Sequence, residues 1–385
     1  MSKHRIAFVV AIPDSASSFL NDHFAYLIHY YQVHLIANFK GRGDLLCGFE
    51  QMGIVCHDAP IERKINILRD LRALFALTGI LRREKFECVH SVTPKAGFIT
   101  ALAAWFARVP NRLHIFTGQV WATRKGLMRL MLKMMDKIIV ALDTFVMVDG
   151  PGQRDFLIRE GVVSAENSMV PAEGSIAGVN LDRFVISELV RQAERAILGY
   201  SPEDVVFIYL GRITHDKGIG ELFEAFNSLA AECPKCKLLI YGRDEEAYDK
   251  RADQYPNIKR GLNYLYQGPT KTPYNALQAG DVFVLPTWRE GFGVSVLEAQ
   301  ALGLPVITSD AYGVVDASVE GETGLRCHVN DPEGLCKCMK TYYFNPEMRR
   351  RHGANGRKRV EEHFNNEVVS RAWLEIYRGM LGECP

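Results

Sequence analysis

The most informative segment of the chain reads Pro286-Thr-Trp-Arg-Glu-Gly-Phe-Gly-Val-Ser-Val-Leu-Glu-Ala-Gln-Ala-Leu-Gly-Leu-Pro305. A buried strand is predicted directly before it, a loop with Gly291 and Gly293 follows, and a helix is predicted from about Val294. This order is typical of a parallel sheet that binds ligands at the carboxyl ends of its strands. Because a helix start presents backbone N–H groups and a positive dipole end, the segment predicts an anion site.

Apolar strands alternate with helical patterns along the whole chain, in two successive sets. The first set of predicted strands is Ile6–Ile12, Val33–Ala37, Cys88–Ser91, Leu113–Phe116 and Phe145–Val148. The second set is Val205–Leu210, Leu238–Tyr241, Tyr264–Gln267, Val282–Leu285 and Val306–Thr308. The pattern predicts an α/β fold with two doubly wound, Rossmann-like domains over residues 1–185 and 186–365, followed by a helix within residues 366–385.

One predicted helix, Ile65–Arg83, is amphipathic and is expected to cover the first sheet with its apolar side. The residues of that apolar stripe are Ile65, Leu68, Leu71, Leu74, Phe75 and Leu81.

The composition excludes several classes of protein. The chain has 385 residues, with 46 Lys or Arg against 45 Asp or Glu and a net charge of +1, which gives no reason to expect a nucleic-acid partner. The chain has nine cysteines, an odd number, which argues against a disulfide framework. It also lacks an apolar run of the ~20 residues that a membrane span needs, so we expect a cytoplasmic protein. The pairs Cys233/Cys236 and Cys336/Cys338 lack a turn pattern that would aim both sulfurs at one ion, so no metal site is predicted.

Two carboxylates bracket the glycine-rich loop. Glu290 precedes the glycines, and Glu298 follows eight positions later on the predicted helix. Carboxylates would repel a phosphate, so we expect them to accept hydrogen bonds from hydroxyls on either side of it. A diphosphate with a polyol at each end is a nucleotide sugar. Taken alone, Glu290 is equally well explained as a helix-start carboxylate that the dipole favours, and Glu298 as a solvated helix residue.

A second segment, Leu210–Ile219, directly follows the first strand of the second set. Arg212 and Lys217 are expected to supply positive charge to the diphosphate there, and Gly211 and Gly218 to permit close approach of the backbone. Without the first segment it would be an ordinary charged loop.

These segments together resemble the retaining glycosyltransferases of family four. The strings that carry the resemblance are EGFGVSVLEAQALGLPVITSD (Glu290–Asp310), LGRITHDKGI (Leu210–Ile219) and AGVNLDRF (Ala177–Phe184). Two more, VHSVTPKAG (Val89–Gly97) and FTGQVW (Phe116–Trp121), resemble the bacterial branch that builds O-antigen, capsule and lipid-linked oligosaccharides.

The resemblance implies the GT-B fold, in which two Rossmann-like domains face a central cleft and the last helix crosses back to the first domain. It also implies that Glu290 contacts the transferred sugar, Glu298 the ribose, and Arg212 and Lys217 the diphosphate. The loop expected to lie against sugar and phosphate consists of Gly291, Phe292, Gly293 and Val294.

The implied reaction moves a sugar, such as an N-acetylhexosamine, from a nucleoside-diphosphate donor to a glycan on a polyprenyl diphosphate. We expect a UDP-linked donor and retention of the anomeric configuration, with the departing diphosphate oxygen accepting the acceptor proton. The protein then has to stabilise the leaving diphosphate. Two cations and a helix start can balance that charge, so no metal or other cofactor is expected.

The chain departs from the family at one position. Members commonly carry a histidine where Thr117 stands, and threonine cannot act as a base near neutral pH. Thr117 is expected to hydrogen-bond the sugar instead. His114 lies three residues earlier, which on a strand places it on the opposite face and predicts a core role.

Residues 61–137 carry 15 Lys or Arg and only 5 Asp or Glu. Within this region, Arg63–Arg83 and Arg124–Lys137 mix basic residues with Leu and Met, as interfacial helices do, which predicts peripheral contact with the anionic inner face of the cytoplasmic membrane. The alternative is core helices with solvated basic faces. Lys95 and Arg124 are predicted, from their loop positions, to neutralise the acceptor diphosphate.

Three other functions are compared with a transferase. A nucleotide-sugar 2-epimerase shares the two-domain architecture, although Thr117 is a poor member of the carboxylate and histidine set it needs. A nicotinamide dehydrogenase is excluded, because Ala11-Ile-Pro-Asp-Ser-Ala16 stands where G-x-G-x-x-G would follow the first strand. A non-catalytic sensor of nucleotide sugars gives no reason for both Glu290 and the cations.

Overall fold

The computed structural model describes residues 3–62 and 66–383. They form two compact units. The first unit comprises Met1–Gly178 together with Asn366–Pro385, and the second comprises Val179–Asn365.

Each unit contains one parallel sheet. The strands of the first sheet are β1 (Arg5–Val9), β2 (Gln32–Ala37), β3 (Val55–Asp58), β4 (Cys88–Val92), β5 (Asn111–Phe116), β6 (Phe145–Val148) and β7 (Ser168–Met169). Those of the second are β8 (Val205–Leu210), β9 (Cys236–Tyr241), β10 (Tyr264–Gly268), β11 (Val282–Leu285), β12 (Val306–Ser309) and β13 (Gly324–Cys327). The strand orders are β3-β2-β1-β4-β5-β6-β7 and β10-β9-β8-β11-β12-β13. In each sheet the chain adds strands outward in both directions from one point, which lies between β1 and β4 in the first sheet and between β8 and β11 in the second. Such switch points are where open sheets bind ligands.

Helices connect and cover the strands. In the first unit they are α1 (Pro13–Phe19), α2 (Asn21–Leu27), α3 (Gly43–Gln51), α4 (Ile67–Glu84), α5 (Pro94–Ala107), α6 (Gly126–Leu142) and α7 (Pro151–Arg159). In the second they are α8 (Glu188–Ile197), α9 (Ile219–Glu232), α10 (Tyr248–Arg251), α11 (Pro273–Ala276), α12 (Val294–Ala301), α13 (Pro332–Phe344) and α14 (Pro346–Arg359). The last helix is α15 (Asn366–Leu381). Short 3₁₀ turns lie at Val120–Thr123, His215–Lys217, Ala252–Gln254, Leu277–Ala279 and Val314–Asp316, and a π-helical turn at Val360–Phe364.

All ten predicted strands are present, and three of them match β6, β8 and β11 residue for residue. The α/β fold with two doubly wound sheets is confirmed. The sequence missed β3, β7 and β13, each of which is an edge strand. Edge strands are short and have only one neighbour, so they lack the continuous apolar run of a central strand.

The orientation predicted for helix α4 was wrong. Leu68 and Phe75 of the expected core stripe are 80% and 74% exposed. The core side of the helix carries the buried residues Ala73, Leu77 and Ile80, together with Leu81 from the predicted stripe. On that side α4 packs mainly against α5, and most of the larger stripe is left in solvent. Ile65 lies outside the described residues, as do Arg63 and Lys64.

Helix α15 packs into the core of the first unit. The Trp373 ring stacks on His23 with centroids 3.9 Å apart, and Ser370 Oγ lies 3.0 Å from His23 Nδ1. The Tyr377 hydroxyl lies 2.6 Å from Nδ1 of His90, on the central strand β4. The last helix of the chain thus completes the first unit.

Candidate active site

The loops that follow β8 and β11 meet at the carboxyl edge of the second sheet. Gly218 has a φ of +72°, and a Cβ atom there would overlap the carbonyl oxygen of Pro286. The loop after β9 closes on the same edge, because a Cβ at Gly242 would overlap the carbonyl oxygen of Gly211. These positions accept only glycine, and this is what brings the two sequence segments into contact.

Lys217 and Glu290 form an ion pair across the two loops. Lys217 Nζ donates to Glu290 Oε1, and the side chains are only 12% and 19% exposed. A pair so far removed from water is screened less than a surface pair. The structure therefore joins two of the residues that the sequence singled out.

A second ion pair lies beside the first. Arg289 Nη2 is 2.7 Å from Asp216 Oδ2, and Thr214 Oγ1 donates to Asp216 Oδ1 at 2.5 Å. The Asp216 carbonyl accepts from Thr287 Oγ1 at 3.0 Å and from the Trp288 N–H at 2.9 Å. The two loops are thus joined through both side chains and backbone.

Burial alone would raise the pKa of Asp216, but the hydrogen bond from Thr214 and the charges of Arg289 and Lys217 hold it below its usual value. Sequence reasoning missed Asp216 and Arg289, although each is the chain neighbour of a residue it found. The signal in the sequence was that an acidic residue, Asp216, directly precedes Lys217, whereas a basic residue, Arg289, directly precedes Glu290.

Arg212 lies on the same loop as Lys217. Its backbone is fixed, because the hydroxyl of buried Tyr209 donates to the Arg212 carbonyl at 2.6 Å. Its guanidinium is turned to the loop after β9, where Nη1 lies 3.2 Å from Glu245 Oε2. About half of the side chain is exposed, and such a surface pair is weak enough to open for an anion.

Helix α12 begins at Val294, as predicted, directly after the glycine-rich loop. Gly293 caps it with a φ of +100°. Phe292 is buried with its ring 5.3 Å from that of Phe364, so its side chain anchors the loop and only its backbone is available to a ligand. The loop is further confined by Gly313, where a Cβ would overlap the carbonyl oxygens of Glu290 and Gly291.

Glu298 lies on the second turn of α12. Burial raises the pKa of its carboxyl to about 7. Near neutral pH it is therefore divided between a form that only accepts hydrogen bonds and a form that also donates one.

Thr117 belongs to the first unit and follows β5, before Gly118, whose φ is +98°. His114 is buried three residues earlier, with Nδ1 2.8 Å from Ser91 Oγ. Burial lowers its pKa to about 3, so it stays neutral. The core position expected for His114 is confirmed.

The FTGQVW motif contains Thr117 and ends at Trp121, whose side chain is buried. Trp121 Nε1 donates to Asp136 Oδ2 of α6 at 2.7 Å, and the Arg129 guanidinium lies 5.1 Å from the centre of the Trp121 ring. Burial raises the pKa of Asp136 to about 7 despite the hydrogen bond from Trp121. Helix α6 thus holds the loop that carries Thr117.

Lys95 and Arg124 also belong to the first unit. Lys95 is the second residue of α5, and its Nζ is 2.6 Å from Asp70 Oδ1 of α4. Arg124 is exposed where the turn Val120–Thr123 ends. Both lie close to the carboxyl ends of strands, β4 for Lys95 and β5 for Arg124.

Comparison with known proteins matches both units to sugar-transferring families. The group 1 glycosyl transferases match residues 190–359, and the glycosyl transferase 4-like domain matches residues 29–173. The capsular polysaccharide biosynthesis glycosyltransferase CapM of Staphylococcus aureus is 30% identical over 86% of this chain and 86% of its own. The chain belongs to the group 1 glycosyltransferases.

Two further proteins, one compared by sequence and one by structure, are similar to this glycosyltransferase. An Escherichia coli enzyme named UDP-Gal:alpha-D-GlcNAc-diphosphoundecaprenol alpha-1,3-galactosyltransferase is 28% identical over 65% of each chain. The structure of Anabaena HepE in complex with UDP and glucose superposes with a TM-score of 0.80, covering 97% of this chain and 98% of that one at 18% identity. The expected GT-B class of fold, with two Rossmann-like units, is confirmed.

The glycosyltransferase exposes a row of large apolar side chains on α6. These are Leu127, Met128, Leu130, Met131 and Met134. The opposite side of the helix carries Arg129 and Lys133, which are 2.8 and 2.6 Å from the two carboxylate oxygens of Glu160. The apolar side is therefore the one that faces solvent, and on α4 the exposed Ile67, Leu68, Leu71 and Phe75 repeat this arrangement.

No helix among residues 3–62 and 66–383 of the glycosyltransferase is long and apolar enough to cross a membrane. In the same part of the chain, no group of three or more His, Cys, Asp or Glu side chains is arranged to hold a metal ion. Cys233, Cys236 and Cys336 are buried in the core of the second unit.

Proposed function

We propose that this glycosyltransferase moves a hexose, such as an N-acetylhexosamine, from a UDP-sugar to a glycan on a polyprenyl diphosphate, with retention of the anomeric configuration. The product would serve O-antigen, capsule or lipid-linked oligosaccharide synthesis. The observation that carries the proposal is the Lys217–Glu290 pair at the switch point of the second sheet, beside the start of α12. The E. coli relative, whose name states a UDP-sugar donor and a diphosphoundecaprenol acceptor, supports both substrate classes.

The second unit binds the donor in this proposal. Lys217, Arg212 and the N–H groups at the start of α12 hold the diphosphate, because cations and helix N-termini both favour phosphate oxygens. Glu290 accepts from hydroxyls of the transferred sugar and Glu298 from the ribose. The loop residues Gly291, Phe292, Gly293 and Val294 contribute backbone N–H groups.

Catalysis then consists of stabilising the leaving diphosphate. The acceptor hydroxyl attacks the anomeric carbon from the face that the diphosphate leaves, and a diphosphate oxygen takes the hydroxyl proton. Thr117 donates a hydrogen bond to the sugar and moves no proton. The cations and the helix start supply the electrostatic stabilisation, so the reaction is proposed to need no metal.

The first unit binds the acceptor, with Lys95 and Arg124 close to its diphosphate. The exposed apolar rows of α4 and α6 support peripheral binding to the inner face of the cytoplasmic membrane, where a polyprenyl-linked acceptor resides. Arg124 and Lys125 precede α6, and Arg69 and Arg72 lie within α4, so cations accompany both apolar rows.

Product analysis with a panel of nucleotide sugars and a polyprenyl-diphosphate-linked sugar tests the proposal. We expect wild type to form a product of retained configuration, and Glu290→Ala and Arg212→Ala each to lower the rate on the order of 10²-fold. Glu232→Gln, which breaks the Lys340–Glu232 pair on the surface of the second unit, is the control and should keep full activity. Epimerisation of a donor, or binding without turnover, would reject the transferase.

A further inference from the structure

The two ion pairs at the site are arranged in opposite order along the chain. Asp216 and Lys217 are neighbours on one loop, and Arg289 and Glu290 are neighbours on the other. Each residue pairs with the opposite charge on the other loop, although an opposite charge also stands beside it in its own loop. We infer that Asp216 and Arg289 are positioning residues, whose pairing keeps Arg289 away from Glu290 and Asp216 away from Lys217, so that a donor has to separate only the Lys217–Glu290 pair; this rests on the function proposed above.

Two features make Asp216 the group that holds Arg289. The Arg289 side chain is only 17% exposed, so water compensates poorly for a lost carboxylate. Among the residues that the structure describes, the buried Arg289 Nε has no hydrogen-bond partner, so this end of the guanidinium is not held elsewhere.

The loops themselves stay joined if this pair is removed. Thr287 Oγ1 and the Trp288 N–H both donate to the Asp216 carbonyl, and Ser309 Oγ of β12 donates to the Thr287 carbonyl. Thr287 and Ser309 are fully buried. Neutral substitutions at Asp216 and Arg289 therefore change which charges pair while the backbone contacts remain.

The two single substitutions should each free a different competing charge at the site. In Asp216→Asn, the guanidinium of Arg289 turns to its neighbour Glu290. Arg289 then occupies the carboxylate that is proposed to bind the sugar, and Lys217 is released from its ion pair. In Arg289→Gln, the carboxylate of Asp216 draws its neighbour Lys217 away from the diphosphate. The double variant has neither competing charge, so the pair Lys217–Glu290 is restored.

UDP binding by calorimetry, together with turnover of whichever donor wild type uses, tests the inference. We expect Arg289→Gln to weaken UDP binding about tenfold, the worth of one charge-assisted contact, and Asp216→Asn not to weaken it. Both single variants should lose turnover, and the double variant should recover UDP affinity and exceed both in turnover. Arg289→Lys keeps the charge and should behave close to wild type, while Glu232→Gln is the control for loss of an unrelated pair.

The outcomes distinguish a failure of this inference from a failure of the proposed function. Equal weakening of UDP binding in both single variants, with a double variant no better than either, would mean a purely structural pair and overturn the inference alone. Thermal unfolding of each variant identifies any that does not fold. If Asp216→Asn does not fold, Arg289→Gln against Arg289→Lys decides, and if Arg289→Gln does not fold, unweakened UDP binding with lost turnover in Asp216→Asn decides. Wild type that neither binds UDP nor uses any donor would overturn the proposed function, and this inference with it.

Discussion

The Lys217 ammonium donates a hydrogen bond to the Glu290 carboxylate, across the loops that follow β8 and β11. The cation proposed for the donor diphosphate is therefore already paired with the carboxylate proposed for the sugar. Binding of a donor has to replace this contact, so part of the diphosphate's attraction is spent on separating the pair.

Removing the charge of Glu290 should therefore separate affinity from turnover. In Glu290→Gln, Lys217 is released from its ion pair, and we expect UDP to bind about three- to tenfold more tightly while transfer falls on the order of 10²-fold. Lys217→Met should weaken both UDP binding and transfer. Calorimetry and initial rates measure the two effects, and a Glu290→Gln protein that binds UDP less tightly than wild type would contradict the account.

The raised pKa of Glu298 predicts that donor binding depends on pH. Burial places this pKa at about 7, so the carboxylate that we propose accepts from the ribose prevails above pH 7 and gives way to the protonated form below it. Donor affinity should fall by up to tenfold for each pH unit below 7. The nucleotide sugar that wild type uses suits the titration better than UDP, whose terminal phosphate itself titrates at about pH 6. Glu298→Gln should abolish this pH dependence, and a profile that stays the same in the variant would remove Glu298 from the donor site.

Two glycines close together on the chain should respond in opposite ways to alanine. Gly218→Ala places a Cβ against the Pro286 carbonyl at a φ of +72°, so the loop of Lys217 has to move, and we expect a loss of activity of at least tenfold with a lowered Tm. Gly220→Ala is the matched control, because Gly220 lies in α9 and its Cβ would be 3.9 Å from the Tyr248 ring of α10, an ordinary van der Waals contact. That variant should keep activity and gain about 0.5–1 kcal/mol in stability. Equal behaviour of the two variants would mean that loop contact does not position the site.

The apolar row of α6 should bind membranes. Leu127 is 80% exposed, and replacing Leu127 and Leu130 by serine removes apolar area worth about 2–4 kcal/mol if both insert fully, so binding to phosphatidylglycerol vesicles should fall at least tenfold. Leu189→Ser with Ile197→Ser is the matched control, since these α8 residues of the second unit are 80% and 79% exposed. Vesicle sedimentation compares the two. If both double variants sediment like wild type, α6 is not the membrane surface.

Sequence reasoning reached the fold and much of the candidate site for one physical reason. Buried parallel strands are continuous apolar runs, and the residues that follow them meet at one edge, so Lys217 and Glu290 could be expected together. The pairing of Asp216 with Arg289, and of Lys95 with Asp70, was not foreseeable, because side chains on separate loops choose partners by three-dimensional distance.

Helix α4 shows a second limit of the sequence. Its leucine stripe has the period of a core-facing side, yet the side that is buried in the core is the one that carries Ala73 and Leu77. Periodicity identifies an apolar side, but it does not distinguish one that faces the protein from one that faces a lipid surface.

The place of α15 also bears on how the polypeptide is made. The first unit is left open around His23 and His90 until Trp373 and Tyr377 leave the ribosome, after all of the second unit has been synthesised. Residues 179–365, by contrast, form their compact unit without any later segment. Any truncation before α15 therefore damages the part of the enzyme translated first, and a nascent chain that stops early exposes an unfinished core to chaperones and proteases.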